Sequence, residues 1–235
     1  MANFEKTTLM PVTSDELFAW HERPGALERL IPPWERVLIE RKDPGLQKGS
    51  EVQLKTRIGP FWIRWLARHI SYIPGKEFVD IQVNGPFAKW EHHHKMIEAQ
   101  EGSAYLKDAI TYQLPLGLSG SLAKKDIERM FTYRHKTTQT DLKVYKEISK
   151  GPLKIAMTGA SGLVGSALKA LLLTQGHSVY CIPRKQRAPH SFDLDLNALE
   201  DLDALFHLAG ENIGSGRWSK KKKDAIRLSR VEGTD

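Results

Sequence analysis

A single cysteine, Cys181, stands in the 235 residues, so no internal disulfide can form and the chain reads as one made for a reducing compartment. Long apolar runs are missing too. The most apolar helical stretch, residues 164–173, is interrupted by Lys169, which excludes a membrane-spanning helix. No apolar leader follows Met1, because residues 1–6 run directly into a strand-like pattern. The expectation is a cytoplasmic protein. Concentrated charge is also absent: the net charge of +7 divides into +4 over residues 1–150 and +3 over residues 151–235. The one dense run, four lysines at 220–223, reads as a solvated helix face, so nucleic acid is not an expected partner.

What remains is a globular composition, 40% hydrophobic and 27% charged, long enough for two cores. The most informative stretch is Met157-Thr158-Gly159-Ala160-Ser161-Gly162-Leu163-Val164-Gly165. Residues 153–157 read as an apolar strand, and residues 163–175 carry helical periodicity up to Gly176. A strand, a glycine turn and a helix place unpaired N–H groups and a partial positive charge where a pyrophosphate can sit. Glycines let the backbone approach it. The spacing Gly159-x-x-Gly162-x-x-Gly165 is wider at its start than the usual dinucleotide fingerprint, so the flanking elements carry much of the signal.

A second strand is expected at residues 178–182, followed by Arg184 and Lys185, about 20 residues past the last glycine, where such folds read the adenosine ribose. An acidic residue there would favour NAD; Arg184 favours the 2′-phosphate of NADP, through a contact of about 1.5–3 kcal/mol. A solvated basic loop at 184–187 is the other reading. A short third strand at 191–194, with Asp193 or Asp195 near the adenine, and a fourth at 204–208 would follow. The fourth ends in His207-Leu208-Ala209-Gly210-Glu211-Asn212, at the sheet edge where ligands bind in open α/β folds; small residues there let a nicotinamide ribose lie close. A helix is expected at 219–231.

Residues 1–150 differ in kind. Five of the six tryptophans lie here (Trp20, Trp34, Trp62, Trp65 and Trp90). A strand at 4–10 precedes two short helices, at 15–20 behind a capping box of Thr13 and Glu16, and at 24–30 with Pro24 in its first turn. Period-two patterns then predict strands at 37–41, 51–58, 61–72, 77–83, 88–98 and 104–114, punctuated by Pro-Gly and Gly-rich turns. An amphipathic helix at 123–136 carries Ile127, Met130, Phe131 and Arg134 along one stripe. This order describes a curved antiparallel sheet gripping its last helix, an α+β helix-grip arrangement. It encloses either a pocket for an apolar or amphipathic ligand, or a core filled by aromatics. His92 and His94 share a strand face at a metal-compatible spacing, but no matching carboxylate or cysteine is identifiable, so no metal is expected. Arg64, Trp65, Arg68 and His69 read as a snorkelling sheet face.

The runs Thr158 to Gly165, His207-Leu208-Ala209-Gly210-Glu211-Asn212-Ile213, Gly216-Arg217-Trp218 and Ser229-Arg230-Val231-Glu232-Gly233-Thr234 resemble the atypical short-chain dehydrogenase/reductase proteins of the NAD-dependent epimerase family. Ahead of them, Ala19-Trp20-His21-Glu22-Arg23-Pro24-Gly25-Ala26, Pro32-Pro33-Trp34, Gly85-Pro86-Phe87-Ala88-Lys89-Trp90 and Met130-Phe131-Thr132-Tyr133-Arg134-His135 are similar to the START-like (SRPBCC, polyketide cyclase) domain fused to some members. The resemblance implies a START-like ligand-binding domain at 1–150 and the first part of an NAD(P)-binding Rossmann-like domain at 151–235. Gly159, Ser161, Gly162, Leu163, Val164, Gly165, Arg184, Leu208, Ala209 and Gly210 would hold NADP, with NAD the less favoured cofactor. Family members continue beyond the Ser-Arg-Val-Glu-Gly-Thr run, so the expectation is a C-terminally truncated chain whose fourth strand is an unpaired edge. The Tyr-x-x-x-Lys pair that short-chain dehydrogenases use occurs nowhere after Gly151, where Tyr180 is the lone tyrosine, so no catalytic residue is named. The expected function is an NADP-binding dehydrogenase or epimerase-like protein of unknown small-molecule substrate, incomplete as a catalyst. The alternatives are a hydrophobic-ligand carrier acting through residues 1–150 and a non-catalytic pseudo-enzyme.

Overall fold

The computed structural model describes residues 1–148, 151–184, 192, 193, 195 and 197–232. It divides into two compact units, Met1–Ser149 and Lys150–Asp235.

The first unit is a mixed α/β structure on one large antiparallel sheet. Strand β1 (Ala2–Met10) leads into α1 (Ser14–Glu22) and α2 (Ala26–Leu30). Strands β2 (Val37–Lys42), β3 (Glu51–Ile58), β4 (Phe61–Ile73), β5 (Glu77–Asn84), β6 (Lys89–Glu98) and β7 (Ala104–Gln113) follow as a meander, and α3 (Ser121–Ile148) closes the unit. The strand order β1-β7-β6-β5-β4-β3-β2 joins the first strand to the last, with Ala2 opposite Tyr112 and Met10 opposite Ala104. Thr13 caps α1 as expected, accepting from the Glu16 N–H at 3.3 Å. Pro24 stands outside α2, whose N-cap is Gly25. Register shifts at Leu66/Ala67 and at His69/Ser71 bend the long strand β4, and such bulges curve a sheet around what it covers.

What it covers is α3. Strand β7 shows the pattern plainly: Ala104, Leu106, Asp108, Ile110 and Tyr112 are buried on one face and their neighbours are not. The N-terminal half of α3 places Ile127 and Phe131 against Trp90, Ile110 and Tyr112. Each such side chain contributes about 1.5–3 kcal/mol by leaving water. The helix runs on past residue 136, the end expected from its periodicity, to Ile148. Thr137, Thr138 and Thr140 are weak helix formers, but Thr138 and Leu142 are fully buried, the latter in a second cluster with Met10, Leu17, Phe18 and Trp20. Asp141 also pairs through both oxygens with Arg29 of α2, at 2.7 and 2.8 Å. Packing and this ion pair override propensity.

The second unit carries three parallel strands, β8 (Lys154–Thr158), β9 (Ser178–Ile182) and β10 (Ala204–His207), in the order β10-β8-β9. Helix α4 (Leu163–Thr174) makes the crossover from β8 to β9, and α5 (Lys220–Val231) follows β10 behind its N-cap Ser219. The central strand is the most buried, with Ile155, Ala156 and Met157 at 2% exposure or less. Of the third strand expected at 191–194, Ser191 and Leu194 lie outside the described residues, as do Lys185, Arg187, Gly233 and Thr234. Phe192 makes a single antiparallel bridge to Arg184. Lys222, expected on a solvated face, pairs instead with Glu211 at 2.5 Å. Among the described residues, no helix is long and apolar enough to cross a membrane.

Candidate functional site

The residues singled out in the second unit meet at the carboxyl end of its sheet. Gly159 follows β8 with φ +68°, a left-handed conformation that L side chains rarely adopt. A Cβ at this position would fall 2.6 Å from Ala209 N and Leu208 C, so the turn is pressed against the chain leaving β10. At Gly165, in the first turn of α4, a Cβ would fall 2.1 Å from the Gly159 carbonyl oxygen. Glycine at these two places lets turn, helix and neighbouring strand pack backbone to backbone. Gly162 is the N-cap of α4 and supplies no side-chain cap. Ser161, Leu163 and Val164 are exposed at the same turn, Leu163 to 91%.

Thr158, the last residue of β8, ties the neighbouring strand in. Its Oγ1 accepts from the Ala209 N–H at 3.2 Å and lies 2.9 Å from Nδ1 of His207. Ala209 is buried and Leu208 and Gly210 are half-buried. The guanidinium of Arg184 reaches the Gly210 carbonyl at 3.5 Å, and that of Arg230 donates to the Ala209 carbonyl at 3.3 Å. The helix N-terminus, the small-residue run after β10 and Arg184 thus share one edge, and that edge carries positive charge.

The first unit holds a cavity of about 270 Å³. Its apolar lining includes Ala26, Leu30, Val52, Leu54, Trp65 and Phe78, and the aromatics line the space without filling it. Its polar lining is a cluster that sequence reasoning found only in part. His92 and His94 lie on one face of β6; Asp80 of β5 stands opposite His92, and Asp108 of β7 stands opposite His94. Register therefore supplies the carboxylates that could not be matched along the chain. The only local signal was a charged residue set inside an apolar strand, at Asp80 and again at Asp108.

The two imidazoles lie 3.7 Å apart between these carboxylates, their planes tilted by 41°. Oδ2 of Asp80 lies 3.5 Å from His92 Nδ1 and 3.1 Å from His94 Nε2. On the other side, Oδ1 of Asp108 lies 3.0 Å from both His92 Nε2 and His94 Nδ1. Its Oδ2 lies 2.7 Å from His135 Nε2, and Nδ1 of that ring is 2.8 Å from Thr8 Oγ1. Burial disfavours charge on every member. At Asp108 burial pushes upward, but the His94 charge and hydrogen bonds from His135, His92 and His94 outweigh it and hold the carboxyl well below its usual range. At His94 burial pushes downward, and Asp108 and Asp80 together raise it to about 8. At His92 burial prevails, helped by the His94 charge, and the pKa falls. His69, 8% exposed on the cavity wall, keeps Nδ1 without a hydrogen-bond partner.

Residues 155–235 match the NAD dependent epimerase/dehydratase family. An epimerase family protein of Mycobacterium bovis is 40% identical over 89 residues, covering 34% of this chain and 30% of its own. One of Bacillus subtilis is 33% identical over 93 residues, covering 35% and 30%. The chain thus spans about 30% of the length of the curated relatives it matches. The crystal structure of a nucleoside-diphosphate sugar epimerase from Corynebacterium glutamicum aligns with 98% of this chain and 50% of its own, at 29% identity and a TM-score of 0.75. The glycine turn lies near the start of the matched segment, so the likeness to the NAD dependent epimerase/dehydratase family covers the residues that form the turn, the strand before it and the run after β10.

Proposed function

We propose that the second unit is the opening part of a Rossmann-like domain that binds NADP, and that the protein belongs to nicotinamide-dependent chemistry of the reductase or epimerase type on a small-molecule substrate. The observation that carries this is the turn from Gly159 to Gly165, where a Cβ on either glycine would strike backbone. The Gly162 N–H closes the turn onto the Gly159 carbonyl at 3.0 Å, and α4 then starts with no side-chain cap, which suits a pyrophosphate at the N–H groups of its first turn. Gly159, Ser161, Gly162, Leu163, Val164 and Gly165 would hold the diphosphate, Arg184 the 2′-phosphate, and Leu208, Ala209 and Gly210 the nicotinamide ribose. When bound, the nicotinamide supplies hydride transfer. These residues bind and orient it; the exposed guanidinium of Arg184 provides the charge that separates NADP from NAD.

Titration of the chain with NADPH and NADH, repeated on Arg184→Ala, tests the assignment. NADPH is expected to bind more tightly, and the substitution to weaken it about ten-fold, or 1.4 kcal/mol, with NADH nearly unchanged. Equal affinity for the two nucleotides, or an equal loss of both, contradicts the role of Arg184. The cavity of the first unit supports a second element of the proposal, that this unit holds an apolar or amphipathic ligand with its polar end toward the histidines.

A further inference from the structure

We propose that Asp80, His92 and His94 form a binding site for a divalent first-row transition metal ion of the zinc class, open to the cavity of the first unit. Each of the three side chains offers one ligand atom, and these atoms lie within 4.8 Å of one another. The two separations from Asp80 Oδ2, 3.1 Å to His94 Nε2 and 3.5 Å to His92 Nδ1, bracket the donor spacing of ~3.3 Å that tetrahedral zinc imposes.

The tautomers follow from the other side of the rings. An ionised carboxylate only accepts, so Asp108 Oδ1, 3.0 Å from His92 Nε2 and His94 Nδ1, takes an N–H from each ring. With an ion in place of the His94 Nε2 proton, the opposite nitrogens direct lone pairs to the side on which Asp80 Oδ2 lies. Without an ion, the proton on His94 Nε2, 3.1 Å from Asp80 Oδ2, occupies that place; a divalent ion that takes the three ligand atoms releases it. A metal-ligating histidine ordinarily directs its other N–H to a carboxylate that fixes its orientation, and Asp108 serves both rings in that way. His135, itself against Thr8, holds Asp108 in turn.

Charge and access agree. Two carboxylates offset the charge of a divalent ion bound to the two imidazoles, which lowers the desolvation cost of placing it in the interior, although the guanidinium of Arg134 on the cavity lining also lies within electrostatic reach of both carboxylates. Asp80, His92 and His94 line the cavity, whereas Asp108 and His135 do not. The next coordination position therefore opens to the cavity, for water or the polar end of a ligand, as in zinc sites that keep an exchangeable position. Ion binding at this cluster is independent of nucleotide binding by the second unit.

The test is calorimetric titration of the metal-free, tag-free full chain with Zn²⁺, with Co²⁺ absorption as a spectroscopic reporter. The expected result is one ion per chain, weakened about 100-fold or more in Asp80→Asn and in His94→Gln, and about 10–100-fold in Asp108→Asn. His93 points to the opposite face of β6, between Glu77 and Glu91, so His93→Ala should leave the binding unchanged. Should Asp80→Asn fail to fold, the wild-type chain decides: Zn²⁺ should raise its melting temperature and Co²⁺ should show a visible band of low-coordinate geometry. Wild-type protein that binds no ion overturns the proposal, leaving protons to occupy the cluster. Binding that survives Asp80→Asn, or that vanishes with His93→Ala, overturns it equally.

Discussion

His21 shows how far burial, helped by the nearby His94 and His135, moves a titrating group in this protein. Its ring is 7% exposed, bonds through Nδ1 to the Leu17 carbonyl at 2.8 Å, and is pushed by burial down to about 4. The folded state therefore refuses a proton that the unfolded chain accepts near pH 6.5. The stability this neutral ring contributes is present above pH 6.5 and is lost as the pH falls through 6.5 toward 4, by about 3 kcal/mol. Denaturant unfolding measured across that window should show the loss, and His21→Leu should flatten it. An unchanged slope in the variant would place the acid sensitivity elsewhere. At this scale the sequence was only partly legible. Gly159, Gly162 and Gly165 declared themselves by spacing between a strand and a helix, whereas Asp80 and Asp108 lie far along the chain from the histidines they face.

Among the elements, the strands were the readable part. Period-two alternation with Pro-Gly punctuation marked β3 to its residue bounds and placed β4 to β7 within one or two residues, because a half-buried strand writes its burial into every second position. Helix α3 was not readable to its end. Its C-terminal part, Thr137 to Ile148, holds threonines and charge where periodicity expects apolar residues, and its stability comes from Leu142, Thr138 and the Arg29 pair. Leu142→Ala removes a side chain with no exposure and should destabilise the first unit by about 2–5 kcal/mol. A melting curve close to wild type would mean that this stretch of helix is not anchored as described. Register is likewise invisible to local pattern. The pairing of β5 with β6 and of β6 with β7 assembles the histidine cluster, and single strands do not announce their partners' alignment.

For the molecule as a whole, the change in composition near residue 150 marked the division into two units, because tryptophan-rich alternating strands give way to a glycine turn between a strand and a helix. Among the described residues, β10 is an outer strand of the second sheet, four residues long, in which Leu205 is 60% exposed. An outer strand bearing an apolar side chain invites pairing with another chain. Size-exclusion chromatography at rising concentration should show association, reduced by Leu205→Lys; a monomer throughout would mean that the edge is too short to pair. Nucleotide binding by the second unit is tested most directly by calorimetric titration of the full chain with NADPH beside its Gly159→Ala variant. Saturable binding at one nucleotide per chain, lost in a variant that places a Cβ 2.6 Å from the Ala209 and Leu208 backbone, is the predicted result. No binding by the folded wild-type chain, or binding undiminished by the substitution, would contradict it.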